Sequence, residues 1–141
     1  MYEAGTAVEV HAFHVMPGWP PPEGERHAHD YRLEVVASRD ALDARGMVVD
    51  LDVLDRALSD LADLIRDADL DEVLGSEADA EALTVEVFAR LVHARLAAAL
   101  GRLPGTSLAV RVWESPVAFG GYRAALDDAS DDARDFRSSS A

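Results

Sequence analysis

The chain has 141 residues, a formal charge of −14 and no cysteine; its thirteen basic residues are all arginine. That length supports one domain with a real core, while the missing cysteines exclude a disulfide framework, a thiolate metal site and a cysteine nucleophile. The acid excess argues against nucleic acid as a partner, because phosphate contacts need a basic patch, and it repels anionic substrates unless salt or a locally positive pocket offsets it.

No apolar run approaches a membrane span, and no basic-flanked apolar leader opens the chain, so a cytoplasmic protein without a membrane partner is expected. After a short lead-in over 1–5, alternation with period two predicts a first strand from about Thr6 to Val15. Met16 to Arg26 reads as a loop, since Pro17, Gly18, Pro20, Pro21, Pro22 and Gly24 break any ladder. It is either a flap over a site or a plain hairpin connection. A second strand follows from about His29 to Ser38.

Four of the five histidines fall between His11 and His29. His27 and His29 are two apart, so on extended backbone both rings project from one face. His14 ends the first strand on the face shared by Val8, Val10 and Ala12. If the two strands pair as antiparallel neighbours, His14 meets His27 and His29. Three neutral imidazoles with a fourth position open is the pattern of a catalytic zinc site. Taken alone, the same histidines also fit ordinary surface or hydrogen-bonded rings.

Asp50 is placed to N-cap a helix carrying Leu51, Leu54, Leu58, Leu61, Leu64 and Ile65 as one apolar stripe, with Asp52, Asp55, Asp60 and Asp63 on its solvated side. Asp67 to Ala80 reads as an acidic turn region. A second helix is predicted from about Ala80 to Leu100, with Leu83, Val87, Leu91 and Leu96 as core candidates and Gly101 as its stop. Pro104-Gly105 turns the chain into a third strand, Ser107 to Ser115, and a fourth covers about Phe119 to Leu126. From Asp127 onward the composition predicts a disordered acidic, Ser-rich tail. The order ββ-αα-ββ gives an α+β domain over 1–126, with two helices on one face of a four-stranded antiparallel sheet. Its two open sheet edges predict a homo-oligomer.

Several segments, in this order, resemble the 6-pyruvoyl-tetrahydropterin synthase family, which includes the 6-carboxy-tetrahydropterin synthases. Val10-His11-Ala12-Phe13-His14 resembles the family's F-x-A-x-H strand, and His27-Ala28-His29-Asp30-Tyr31 its H-G-H-x-Y segment. Gly46-Met47-Val48-Val49-Asp50-Leu51 is similar to G-M-V-x-D-F, Leu83-Thr84-Val85-Glu86-Val87-Phe88-Ala89 to P-T-x-E-N-L-A, and Val112-Trp113-Glu114-Ser115 to V-x-E-[ST]. The resemblance spans about Val8 to Leu126 and implies the tunnelling (T-) fold, commonly assembled into hexamers. It implies Zn2+ on His14, His27 and His29, a pterin anchored by Glu114, and Thr84 and Glu86 lining the same pocket. The implied activity is a zinc-dependent lyase acting on 7,8-dihydroneopterin triphosphate. The lysine-free, Asp-, Ala- and Arg-rich composition resembles that of proteins from salt-loving archaea.

Two departures fall on the catalytic machinery. The family's base is a cysteine shortly before H-G-H; counting four back from His27 reaches Glu23, with Glu25 as a near alternative, or both simply decorate the loop. A glutamate there resembles a subgroup that cleaves the side chain to 6-hydroxymethyl-dihydropterin for folate synthesis. A carboxylate serves as base when desolvation raises its pKa. The family's D-H-x-x-L-N segment corresponds to Arg66-Asp67-Ala68-Asp69-Leu70-Asp71, which puts Asp67 at the histidine position and Arg66 at the aspartate position, with no histidine expected nearby and His93 placed on the second helix as a surface or core ring. The usual relay is therefore missing, which leaves open a non-catalytic paralogue that retains the zinc and pterin pocket.

Overall fold

The computed structural model describes residues 1–127. Four strands, β1 (Tyr2–His14), β2 (His27–Arg39), β3 (Ser107–Trp113) and β4 (Phe119–Ala125), form one antiparallel sheet in sequential order. Between β2 and β3 run α1 (Leu51–Ile65), a short α2 (Leu70–Leu74) and α3 (Val85–Leu100). The α+β architecture is as predicted, with one helix more: α2 and a 3-10 turn over Gly75–Glu77 occupy the acidic segment read as a turn. Leu70 and Leu74 explain it, because both are fully buried and hold that segment against the core. The tail predicted over 127–141 lies, apart from Asp127, outside the described residues.

Element boundaries differ where tertiary pairing overrides local pattern. β1 starts at Tyr2 rather than Thr6, because Tyr2 to Gly5 pair with Val36 to Arg39. β2 starts at His27, which pairs with His14. The helix predicted from Ala80 begins instead at Val85. Asp79 adopts a left-handed φ of 48°, which ends any continuous helix there, and the Thr84 hydroxyl caps α3 by accepting from the Val87 N–H at 3.2 Å. Asp50 caps α1 as expected, its Oδ1 accepting from Asp52 at 3.0 Å.

The sheet register places Val10, Ala12, Tyr31, Leu33, Val35, Leu108, Val110 and Val112 on the helix-covered face, all at most 3% exposed. They meet Leu54, Leu58, Leu61 and Ile65 of α1 and Phe88, Leu91, Val92 and Leu96 of α3. Burying each such side chain contributes roughly 1.5–3 kcal/mol. Leu51 and Leu64 prove to be exposed, at 41% and 50%, so the stripe of α1 is narrower than its sequence suggests. Gly120 lets β4 approach the start of α3: a Cβ there would lie 2.6 Å from Val85 Cγ2 and 2.8 Å from the Glu86 nitrogen. The opposite sheet face is polar, carrying Glu9, His11, Asp30, Arg32, Glu34 and Arg111.

Candidate metal centre

The ladder between β1 and β2 ends in His14 opposite His27, with Ala12 opposite His29. Directly paired residues share a face, so the register alone brings three imidazoles together at the end of the ladder that the 15–26 loop connects. One ring nitrogen from each lies within 4.8 Å of the other two, and the ring centroids are 4.3, 5.5 and 5.0 Å apart. His14 is buried at 5% exposure, yet its Nδ1 has no hydrogen-bond partner. A buried polar atom without a partner is destabilising, and a cation shared with two further imidazoles would satisfy it. His27 directs Nδ1 to the Glu25 carbonyl oxygen at 2.8 Å, which leaves Nε2 as its free donor. The residues present therefore fit a divalent metal ion of the zinc type.

Electrostatics favour the neutral, ligand-competent rings. Burial holds the His14 pKa below the ordinary histidine value, helped by repulsion from His27 and His29 and opposed by the Asp71 carboxylate and the backbone at Leu83. Burial lowers His29 likewise, with Glu114 and Glu23 acting in the opposite direction and His27 reinforcing the shift. Behind the histidines, Tyr31 stacks edge-on to His29 at 5.4 Å and to Phe88 at 5.2 Å. Burial pushes its phenol pKa upward, and the carboxylates of Glu114 and Asp71 add to the rise.

Glu114 stands just past the end of β3, where its N–H donates to the Ala118 carbonyl and closes the turn to β4. It lines a cavity of about 670 Å³ with His29, Trp113, Ser115, Arg32 and Asp30, a volume suited to a small ligand. Trp113 stacks on Phe119 at 4.5 Å and keeps its indole N–H buried without a partner. The structure thus joins Glu114 to the histidine cluster. Thr84 and Glu86 are not part of this cavity's lining. The Thr84 hydroxyl is engaged in the α3 cap, and Glu86 is exposed in the first turn of that helix.

The loop before His27 separates the two glutamate candidates. Glu23 is exposed, pinned through its carbonyl to the Met16 N–H at 2.8 Å, and its charge reaches His29. Glu25 contributes its backbone carbonyl to His27 instead. Arg26 anchors the loop: its Nε donates to Asp69 at 2.6 Å, and its guanidinium carbon lies 3.7 Å over the Phe13 ring. Asp71 accepts from the Val15 N–H at 3.0 Å, fixing the chain just beyond His14. Neither Arg26 nor Asp71 stood out in the sequence, because their roles depend on a connection about forty to fifty-six residues away.

Asp67 does have a histidine beside it. His11 Nδ1 lies 2.8 Å from its Oδ1, across 56 residues of sequence. His11 alternates to the sheet face opposite His14, so strand periodicity gave no reason to link it to the cluster.

The sequence profile of the 6-pyruvoyl tetrahydropterin synthase family matches residues 6–125. The chain belongs to that family. Its fold is correspondingly close to that of the Caenorhabditis elegans 6-pyruvoyl tetrahydropterin synthase, with a TM-score of 0.68 at 18% identity over 88% of this chain and 96% of that one. A Plasmodium vivax 6-pyruvoyltetrahydropterin synthase altered at a catalytic residue, a glutamate, aligns with a TM-score of 0.65 at 12% identity over 89% and 99% of the two chains. The Plasmodium falciparum enzyme gives 0.63 at 12% identity over 87% and 98%. No curated protein sequence matches the chain. Among the described residues no helix is long and apolar enough to cross a membrane.

Proposed function

We propose that this chain is a zinc-dependent lyase of the pterin-forming type, acting on 7,8-dihydroneopterin triphosphate or a close relative. The observation that carries the reading is the trio His14, His27 and His29, gathered around a buried ring nitrogen that no protein group satisfies. A zinc ion held there would polarise the side-chain hydroxyls of a dihydropterin and make the adjacent C–H protons more acidic. Glu114 accepts two N–H bonds from the aminopyrimidine edge, a bidentate charge-assisted contact that orients the ring. Trp113 supplies an aromatic wall to the same cavity. Assembly through the sheet edges at β1 and β4 is the expected quaternary arrangement, a hexamer by family resemblance.

Glu23 favours a second reading within the same chemistry, side-chain cleavage to 6-hydroxymethyl-dihydropterin. It stands in for the absent cysteine, its charge acts on His29, and the Plasmodium vivax relative also has a glutamate as catalytic residue. Incubating zinc-loaded protein with dihydroneopterin triphosphate and identifying products by mass spectrometry tests both. Triphosphate release supports the synthase-type reaction; a hydroxymethyl product supports Glu23 as base, and an undiminished Glu23→Ala variant removes that assignment. Pterin binding without turnover makes the chain a binding paralogue. Glu114→Gln is expected to weaken pterin binding about tenfold to a hundredfold, the loss of one strong charge-assisted contact.

A further inference from the structure

The residues on either side of His14 are both tied to one short segment. The Phe13 N–H donates to the Ala68 carbonyl at 2.9 Å, and the Val15 N–H donates to Asp71 Oδ2 at 3.0 Å. Earlier on the same edge of β1, the His11 carbonyl accepts from the Asp67 N–H at 2.7 Å. Outward-facing backbone groups of an edge strand recur every second residue, so His11, Phe13 and Val15 are consecutive members of one row. The backbone of 67–68 answers the first two. At the third the chain has already turned into α2, and the Asp71 carboxylate takes the place that a strand carbonyl would hold.

His27 is approached from the same segment. Its neighbour Arg26 donates through Nε to Asp69 Oδ1 at 2.6 Å, and the guanidinium carbon lies 3.7 Å from the centroid of the Phe13 ring. One carboxylate therefore holds the chain just past His14 and the other the chain just before His27, the two points where the 15–26 loop leaves and rejoins the sheet. The segment itself is anchored: Leu70, between the two aspartates, and Leu74 are at most 1% exposed. The polar contacts it makes are not buried. Asp71 is exposed, and Arg26 and Asp69 keep 53% and 29% of their side-chain surface, so these contacts add little to global stability. What they fix is the position of His14 relative to His27.

We propose that Asp69 and Asp71 are positioning residues of the metal centre: they pin both roots of the 15–26 loop to the core-anchored α2 segment and so hold His14 and His27 at metal-binding separation. The inference rests on the zinc reading above. Without these two contacts the loop roots are ordered only when the metal binds, and the entropy lost in ordering them weakens the affinity. The coupling is reciprocal, so an ion bound to His14 and His27 tightens the loop roots against α2.

The test measures zinc affinity by chelator competition on the full-length chain and on D71A, D71N and D69A. D71A and D69A should each weaken zinc binding about tenfold or more, the scale on which groups that orient metal ligands act, with metal-free melting temperatures within a few degrees of the parent. Asparagine keeps an oxygen that accepts from the Val15 N–H but removes the charge, so D71N should bind zinc nearly as tightly as the parent. Amide hydrogen exchange gives a readout that a general loss of stability would not move: zinc should slow exchange at Val15 in the parent, and less so in D69A. Unchanged zinc affinity in D71A and D69A overturns the proposal, and so does a Val15 rate indifferent to zinc in the parent. A loss in D71N as large as in D71A also overturns it, because the charge of the carboxylate and not its hydrogen bond would then be the cause. If metal-free D71A fails to fold, D69A, which keeps the Val15 contact, decides alone. A parent that binds no zinc removes the metal reading and this proposal with it; a parent that binds zinc beside variants that bind it equally removes the proposal alone.

Discussion

Two histidines in this molecule are almost equally buried and do opposite things. His14 and His93 are 5% and 6% exposed, and burial holds both pKa values below the ordinary histidine value. His93, on α3, stands near the Ala124 carbonyl through Nε2 at 3.3 Å and stacks edge-on to Tyr122 at 5.0 Å. The protein answers that ring with a helix-to-sheet contact. His14 is answered on one side only: its Nδ1 is orphaned, and its nearest aromatic neighbours are two further histidines. Burial and a shifted pKa therefore do not mark a functional histidine. The unanswered nitrogen does, because the fold has left a place for something it does not itself contain.

Removing each ring draws the contrast most sharply. His14→Ala should raise the zinc dissociation constant by at least about a hundredfold, since one of three protein ligands is gone, while the metal-free protein keeps its melting temperature within a few degrees. His93→Ala should bind zinc like the parent and lose roughly 2 kcal/mol of stability, from the cavity and the abandoned Ala124 carbonyl. Chelator competition and thermal melts on both variants decide it; zinc loss in His93→Ala or a collapse of metal-free His14→Ala would erase the distinction. The parent should also gain stability from zinc, about 4 kcal/mol at a free concentration a thousandfold above the dissociation constant, and chelation should reverse that gain. His93→Ala should show the same increment and His14→Ala very little.

The same contrast explains what could be read in the sequence. The histidine trio was legible because it follows from two local rules, period-two alternation and hairpin pairing, acting between Ala12 and His29. Glu114 was legible through its segment, and the Asp50 cap through its position. The His11–Asp67 pair was not, because it joins opposite ends of a 56-residue separation through backbone bonds along an open sheet edge. Strand periodicity set His11 aside, as it faces away from His14. The start of α3 was misread for a related reason. Ala80 to Ala82 favour helix locally, but the left-handed Asp79 and the Thr84 cap defer it to Val85. Buried Leu83 belongs to the approach rather than to the helix.

The smallest expected effect is in pH dependence, and its sign follows from the direction of the shifts. His93 has a folded-state pKa below the ordinary histidine value, chiefly from burial, with hydrogen bonding to the backbone at Ala124 and Leu108 opposing it in part. An unfolded chain binds that proton more readily than the folded one, so stability is fully present above about pH 6.5 and declines as the pH falls toward the folded value. His14 and His29 act in the same direction, but zinc masks them when bound and they titrate together when it is not. His93 is free of that coupling, which makes it the cleaner probe. In excess chelator, the gap in melting temperature between the parent and His93→Gln should be widest near pH 7.5 and narrow toward pH 5.5, where the parent has lost the advantage of a neutral buried ring. A gap of constant width would mean that His93 stays neutral in both states or that its burial is relieved on acidification, and the distinction between the two histidines would then rest on metal binding alone.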